Sequence, residues 1–283
     1  IDRVEQLEKY PRSFCPIENP LALGILSPVG LWNLKAVKEA ADKHVIVIHS
    51  HEEEFRHMAK EAGIEDPIFV YQKERWENSG MLGHGDALMQ VIEYLKDSRT
   101  DVDIENSIFI TNFGGDVNSP MTIKILCDAL ICYQANFEKT RPWGAIAATV
   151  DMENPPYPIS IDVDKGELIF GHSKLMGNIG TNFAPSNIGV RAYMGYALPF
   201  AFEQIRRLYY KDKQGYEIPG NKPGAREFAL DNLDKWLSCQ SGINTQHNID
   251  IFQIGRELIC KVADPKEIIG SLKEITDDKP EVY

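Results

Sequence analysis

Short apolar runs alternate with amphipathic stretches along the first half of the chain. "VIVIHS" (45–50) is brief and rich in β-branched residues; "LWNLKAVKEAADKH" precedes it and "EEEFRHMAKEAG" follows it, both helical in spacing. "IFVYQ" (68–72) and "SIFITNF" (107–113) repeat the first kind of run. Runs of that length and composition predict buried strands. Between them, "DALMQVIEYLKD" places Leu88, Val91, Ile92 and Leu95 on one helical face. "MTIKILCDALICYQANF" (121–137) predicts a further helix and "WGAIAATV" (143–150) a further strand. Strands and helices in this alternation form βαβ units. The expected class is α/β, with a mostly parallel central sheet flanked by helices.

The pattern changes after residue 150. "NPPYP" reads as a turn and "ISIDVDKGELIF" (159–170) as a hairpin. "ALPFAFEQIRRLYYKD" and "AREFALDNLDKWLSC" predict helices, and "IDIFQIGRELICKVAD" two short strands around Gly255. "KDKQGYEIPGNKPGA" (211–225) is the strongest candidate for a mobile loop. The expected organisation is an α/β core over 1–200 with an α+β extension over 201–283 packed on it. No internal repeat or low-complexity segment interrupts either part.

Composition adds exclusions. A hydrophobic fraction of 43% over 283 residues suits a folded α/β chain with a sizeable core. A net charge of −12 argues against a general nucleic-acid surface, though a small anionic ligand needs only local amides and a cation or two. Five dispersed cysteines without a CxxC pattern predict a reduced, cytoplasmic setting and no structural zinc. No apolar run approaches the ~20 residues of a membrane span, and no signal peptide is visible.

Two stretches carry candidate chemistry. In "MLGHGDALMQ" (81–90), Gly83 and Gly85 precede the apolar helical pattern. A helix N-terminus gathers unpaired N–H groups and partial positive charge, and glycines let a ligand approach the backbone. The stretch predicts either a cradle for phosphate or base oxygens or a turn capped by Asp86. In "SIFITNFGGDVNSP" (107–120), an apolar strand runs into Gly114, Gly115 and Asp116. Ligands of open α/β sheets bind beyond the carboxyl ends of strands. An acid there suits Mg2+, which takes one or two protein carboxylates and completes its shell with water and phosphate; alternatively, it closes a tight turn.

The order of "YPRSFCPIENPLAL", "FVYQ", "GHGDALMQ", "IFITNFGGDVNSP" and "SNIGVRAYM" resembles that of sugar-1-phosphate nucleotidylyltransferases, the UDP-sugar pyrophosphorylase branch above all. The resemblance spans residues 10–193. It implies the nucleotide-diphospho-sugar transferase fold, which is glycosyltransferase A-like. It also implies a transferase that joins a sugar 1-phosphate to a nucleoside triphosphate, UTP, releasing pyrophosphate with Mg2+ as cofactor. Carried over by position, Gln72, Gly83, His84, Gly85 and Asp86 would bind the nucleotide, and Asn187 the sugar. Asp116 would hold the metal. Arg12 and Lys174 would hold phosphates and join Asp116 as the catalytic set.

The resemblance has gaps. The family's glycine-rich loop should precede Tyr10 and is not there. Because the sequence opens "IDRVEQLEKY" rather than with Met, the expectation is that the loop lies upstream. Arg12 stands where the family has a lysine, and a guanidinium is no substitute for a compact ammonium. A second metal carboxylate is unassigned between Asp250 and Asp264. His44, His49, His51 and His57 straddle a strand and a helix without metal spacing. The two DVD triplets (101–103 and 162–164) read as solvated turns. The alternatives are a non-catalytic nucleotide-sugar-binding regulator and a glycosyltransferase consuming the same donor.

Overall fold

A computed structural model describes residues 16–19, 22–77, 79–98, 100–114, 116–136, 142–149, 152–153, 155, 157–162, 167–170, 183–241, 249–253 and 260–261. The strands are β1 (Pro16–Asn19), β2 (Ala22–Pro28), β3 (Val45–Ile48), β4 (Ile68–Tyr71), β5 (Ile108–Thr111), β6 (Asp116–Val117), β7 (Gly144–Ala148), β8 (Met152–Glu153), β9 (Ile159–Asp162), β10 (Glu167–Phe170), β11 (Phe183–Ala184), β12 (Asn187–Met194), β13 (Tyr210–Lys211), β14 (Gly215–Tyr216), β15 (Ile249–Gln253) and β16 (Cys260–Lys261). The helices are α1 (Val29–Lys38), α2 (Glu52–Ala62), α3 (His84–Asp97), α4 (Pro120–Asn136), α5 (Leu198–Tyr209) and α6 (Leu230–Ser241). None of the helices among the described residues is long and apolar enough to cross a membrane.

The main sheet has the order β15-β7-β12-β5. β15 runs parallel to β7, and β12 runs antiparallel to both β7 and β5. β5, β7 and β15 therefore share one direction, with β12 reversed between them. One edge of the sheet thus gathers the ends of β5, β7 and β15 and the start of β12, where Asn187 lies opposite Ala148. β3 and β4 form a separate parallel pair. β9 and β10 form the antiparallel hairpin expected from the sequence; its turn lies outside the described residues.

Helices cover both faces of this mixed sheet, so its central strands are buried on both sides. Ile188, Val190 and Ala192 of β12 pack with Ile123, Leu126 and Leu130 of α4 and Ala36 of α1. The opposite face holds Leu88, Met89 and Ile92 of α3, Phe202 of α5, Leu233 and Leu237 of α6, and Ile146 and Tyr193 from the strands. Each such side chain contributes about 1.5–3 kcal/mol by leaving water. β15, α5 and α6 thus share a sheet or core with the first half of the chain.

Two elements differ from the expectation. The 211–225 stretch forms the β13–β14 hairpin and a series of turns, and Tyr216 is fully buried against Phe228. The helix expected from residue 225 starts at Leu230 instead. Its first residues are used otherwise: the Arg226 carbonyl accepts from Tyr216 N–H at 3.0 Å, and Phe228 pairs with the start of α3.

Candidate functional site

α3 opens inside the GHGD stretch, with Gly83 as its N-cap at φ 93° and His84 as its first residue. The glycines are needed because another part of the chain lies against them. A Cβ on Gly83 would sit 2.7 Å from the Phe228 carbonyl oxygen, and one on Gly85 2.8 Å from it. Phe228 N–H donates to the Leu82 carbonyl at 2.7 Å. The Phe228 carbonyl in turn accepts from the amides of Gly85 at 2.9 Å and Asp86 at 3.3 Å.

This corrects the sequence expectation for Gly85 and Asp86. Their amides are occupied by the chain itself and do not form a ligand cradle. Nor does Asp86 cap the helix. Its carboxylate is fully buried. Oδ1 accepts from Arg75 Nε at 3.1 Å, Arg75 Nη2 at 2.9 Å and Tyr216 Oη at 3.0 Å; Oδ2 accepts from Gln90 Nε2 at 2.7 Å. Burial pulls the Arg75 guanidinium down, but Asp86 and Glu93 outweigh it and leave it above its ordinary value. Burial first, and Asp86 second, raise the Tyr216 hydroxyl.

The same knot fixes the chain leaving β4. Gln90 Oε1 accepts from Lys73 N–H at 2.8 Å, and its Nε2 donates back to the Lys73 carbonyl at 3.1 Å. Gln72, immediately before, donates from Nε2 to the Gly83 carbonyl at 3.1 Å. The structure therefore brings Gln72 and Gly83 into contact.

It also joins the two sequence motifs. The exposed imidazole of His84 meets the ring of Phe113, with centroids 4.4 Å apart. Phe113 follows β5 and directly precedes the GGD stretch. Its carbonyl accepts from Asn33 Nδ2 of α1. Asn33 Oδ1 accepts from Asn112 Nδ2 at 2.9 Å, and Asn112 Oδ1 from Asn118 Nδ2 at 2.7 Å. An amide ladder thus spans the strand-end loop. Asp116 lies in β6, where the backbone pairs it with Lys261 of β16, and α1 packs against this strand.

On the far side, Asn187 Oδ1 accepts from Gly189 N–H at 2.9 Å. A bulge separates Asn187 from Arg191, and Gly189 takes φ 84° there. Arg191 is buried: Nε donates to Asp234 at 2.6 Å and Nη2 to Asp231. Tyr193 donates to the other Asp234 oxygen at 2.6 Å. Burial lifts the Asp234 carboxyl to about 6 against the pull of Arg191 and the Tyr193 hydroxyl.

Of the remaining expected residues, Arg12 and Lys174 lie outside the described residues, as does Asp264. Asp250 pairs with Ala145 in the register of β15, well below the strand ends. Among the described residues, no group of three or more His, Cys, Asp or Glu side chains could hold a metal. Asp101 and Asp103 are exposed, the first paired with Lys43 and the second with Asn106. Sequence reasoning did not single out Phe113, Arg191, Arg75 or Tyr216.

This α/β core, with three co-directional strands and one reversed strand in its main sheet, has the nucleotide-diphospho-sugar transferase fold. Two solved structures share it. HddC from Yersinia pseudotuberculosis aligns over 94% of this chain and 90% of its own, with a TM-score of 0.50 and 11% identity. The 4-diphosphocytidyl-2C-methyl-D-erythritol synthase of Anaerococcus prevotii aligns over 88% and 90%, with a TM-score of 0.50 and 12% identity. At that identity the likeness shows the fold alone. No protein-family model and no curated protein matches the chain.

Proposed function

We propose that the chain is a nucleotidyltransferase that joins a sugar 1-phosphate to UTP, giving a nucleotide-sugar and pyrophosphate in the cytoplasm. The observation that carries this reading is the contact between His84 and Phe113. It brings the start of α3 and the loop leading to Asp116 together at the strand ends, where ligands of such sheets bind. The name of the second structural neighbour supports the class, since its diphosphocytidyl product is a nucleotide group joined to a small alcohol.

In this reading Gln72, Gly83 and His84 face the base and ribose. Gly85 and Asp86 shape that turn from beneath. Asn187 serves the sugar, and Arg12 and Lys174 hold the phosphates. The lone acid of the GGD stretch fits a metal that needs few protein ligands. When bound there, Mg2+ would supply charge neutralisation to the polyphosphate.

The sugar phosphate oxygen attacks the α-phosphorus, and the bond to the pyrophosphate leaving group breaks. The attacking group is already an anion at neutral pH, so no general base is required. Positioning and charge neutralisation carry the reaction.

The test is pyrophosphate release by the full-length protein with Mg2+, across a panel of triphosphates and sugar 1-phosphates. UTP with one sugar 1-phosphate is expected to be the best pair. Asp116→Ala is expected to lower turnover by about 100-fold or more, the scale on which electrostatic stabilisation acts. Near-full turnover by Asp116→Ala, or no release with any pair, refutes the reading.

A further inference from the structure

Arg191 carries an unmet donor. Nε and Nη2 are engaged by Asp234 and Asp231, whereas Nη1 is buried and has no hydrogen-bond partner. Its neighbour across the ladder is Thr111, the last residue of β5. Thr111 Oγ1 is also buried without a partner. Opposite residues of a ladder project to the same face. Ile188, Val190 and Ala192 pack on the α1 and α4 side; Arg191 and Thr111 therefore share the face towards α3 and α6.

This face leads to the strand ends. The guanidinium carbon lies 5.8 Å from the centre of the Phe113 ring, the ring that meets His84. Gly189, the preceding position on this face of β12, brings no side chain. Buried polar groups are rarely left unpaired, so an open donor across the ladder from an open hydroxyl calls for a partner.

We infer that Arg191 Nη1 and Thr111 Oγ1 form a subsite behind Phe113 that receives a hydroxyl of the sugar, a specificity contact for the reaction proposed above. The chemistry favours a neutral oxygen. Two carboxylates already surround the one guanidinium, so a phosphate oxygen would add to a negative surplus. A hydroxyl accepts from Nη1–H and can donate to or accept from Thr111 Oγ1, satisfying both groups. Occupation requires the Phe113 ring to give way, and that ring lies on the loop leading to Asp116. Sugar recognition and the metal-side loop would then be coupled through one side chain. The inference rests on the nucleotidyltransferase reading.

Thr111→Val tests it, because the change keeps the shape and removes the hydroxyl. Steady-state kinetics would be run with UTP, the preferred sugar 1-phosphate and its singly deoxygenated analogues. The variant is expected to raise KM for the sugar 1-phosphate about three- to tenfold, the worth of one hydrogen bond. KM for UTP and the UTP-induced rise in Tm are expected to stay unchanged. One deoxy analogue should be used equally well by wild type and variant. Arg191→Lys, which keeps the charge beside Asp231 and Asp234 but loses the fork, should shift the sugar KM in the same direction. An unchanged sugar KM in Thr111→Val, or an equal rise for UTP and sugar, overturns the inference. So does a sugar-complex structure with only water between Arg191 and Thr111. If wild type releases no pyrophosphate with any pair, the parent reading fails and takes this one with it; if it does and Thr111→Val matches it throughout, the subsite alone is refuted.

Discussion

Replacing Asp86 tests whether the GHGD turn is shaped from inside or presented to a ligand. The carboxylate is fully buried and receives four hydrogen bonds from three side chains. Asp86→Ala removes the charge opposite Arg75 and strands the Tyr216 hydroxyl and the Gln90 amide. Breaking a buried ion pair by deleting one partner costs about 3–5 kcal/mol. Here the Arg75 side chain is 21% exposed and keeps Glu93 at 3.5 Å, so it can partly rehydrate. That places the ion-pair loss near the lower end, about 3 kcal/mol. Tyr216→Phe is the milder probe. It removes one bond to a charged acceptor and keeps the ring against Phe228 and Tyr210, for about 1.5 kcal/mol. Urea unfolding followed by tryptophan fluorescence would measure both. The double variant should cost less than the sum of the two, since both remove the same bond. Strict additivity, or a loss below about 0.5 kcal/mol for Asp86→Ala, would mean that the knot does not form.

Two further outcomes follow from the geometry. Gly83→Ala and Gly85→Ala should each destabilise by more than Gly80→Ala in the same urea assay. The first two place a Cβ against the Phe228 carbonyl, while Gly80 has φ 68° but nothing within 4 Å and should lose only about 1–2 kcal/mol; equal losses would refute the contact with Phe228. For Asp234, the folded chain keeps the proton up to about pH 6, whereas the unfolded chain releases it near the ordinary 3.8. The folded state therefore binds more protons in that window, and this group's stabilisation is lost as pH rises through it. The penalty of Asp234→Asn relative to wild type should accordingly shrink between pH 4 and 6.5; a growing penalty contradicts the assignment.

Alternation of short β-branched runs with 3.6-residue periodicity made β3, β4, β5, β7 and helices α1 to α4 legible, because each element's burial is written in its own residues. Tertiary pairing was not. The start of α6 was misplaced because Ala225–Ala229 look helical locally, while their backbone is spent on Tyr216 and on the turn before α3. Arg191 does have a signature in the sequence. A cation inside "NIGVRAYM", a strand otherwise apolar, must be paired, and "LDNLD" offers acids three residues apart on one helical face. Matching the two requires knowing that α6 lies over β12, which no local pattern states.

The GHGD stretch shows why a glycine-rich helix start is ambiguous in sequence. A ligand oxygen and a backbone carbonyl make the same demand on the chain: no Cβ, a permissive φ and free amides. The Phe228 carbonyl meets that demand at Gly85 and Asp86, so those amides lose their electrostatic pull on a phosphate. What the turn still presents outward is the His84 side chain, held against Phe113, together with Gln72 held to the Gly83 carbonyl. In the function proposed above, this contact with Phe228 would shift recognition from helix amides to side chains that the loop before Asp116 can reach. A ligand that stacks, such as a base, gains from this arrangement. A free phosphate does not, which is why inorganic phosphate should compete poorly at this turn even where a uridine nucleotide binds.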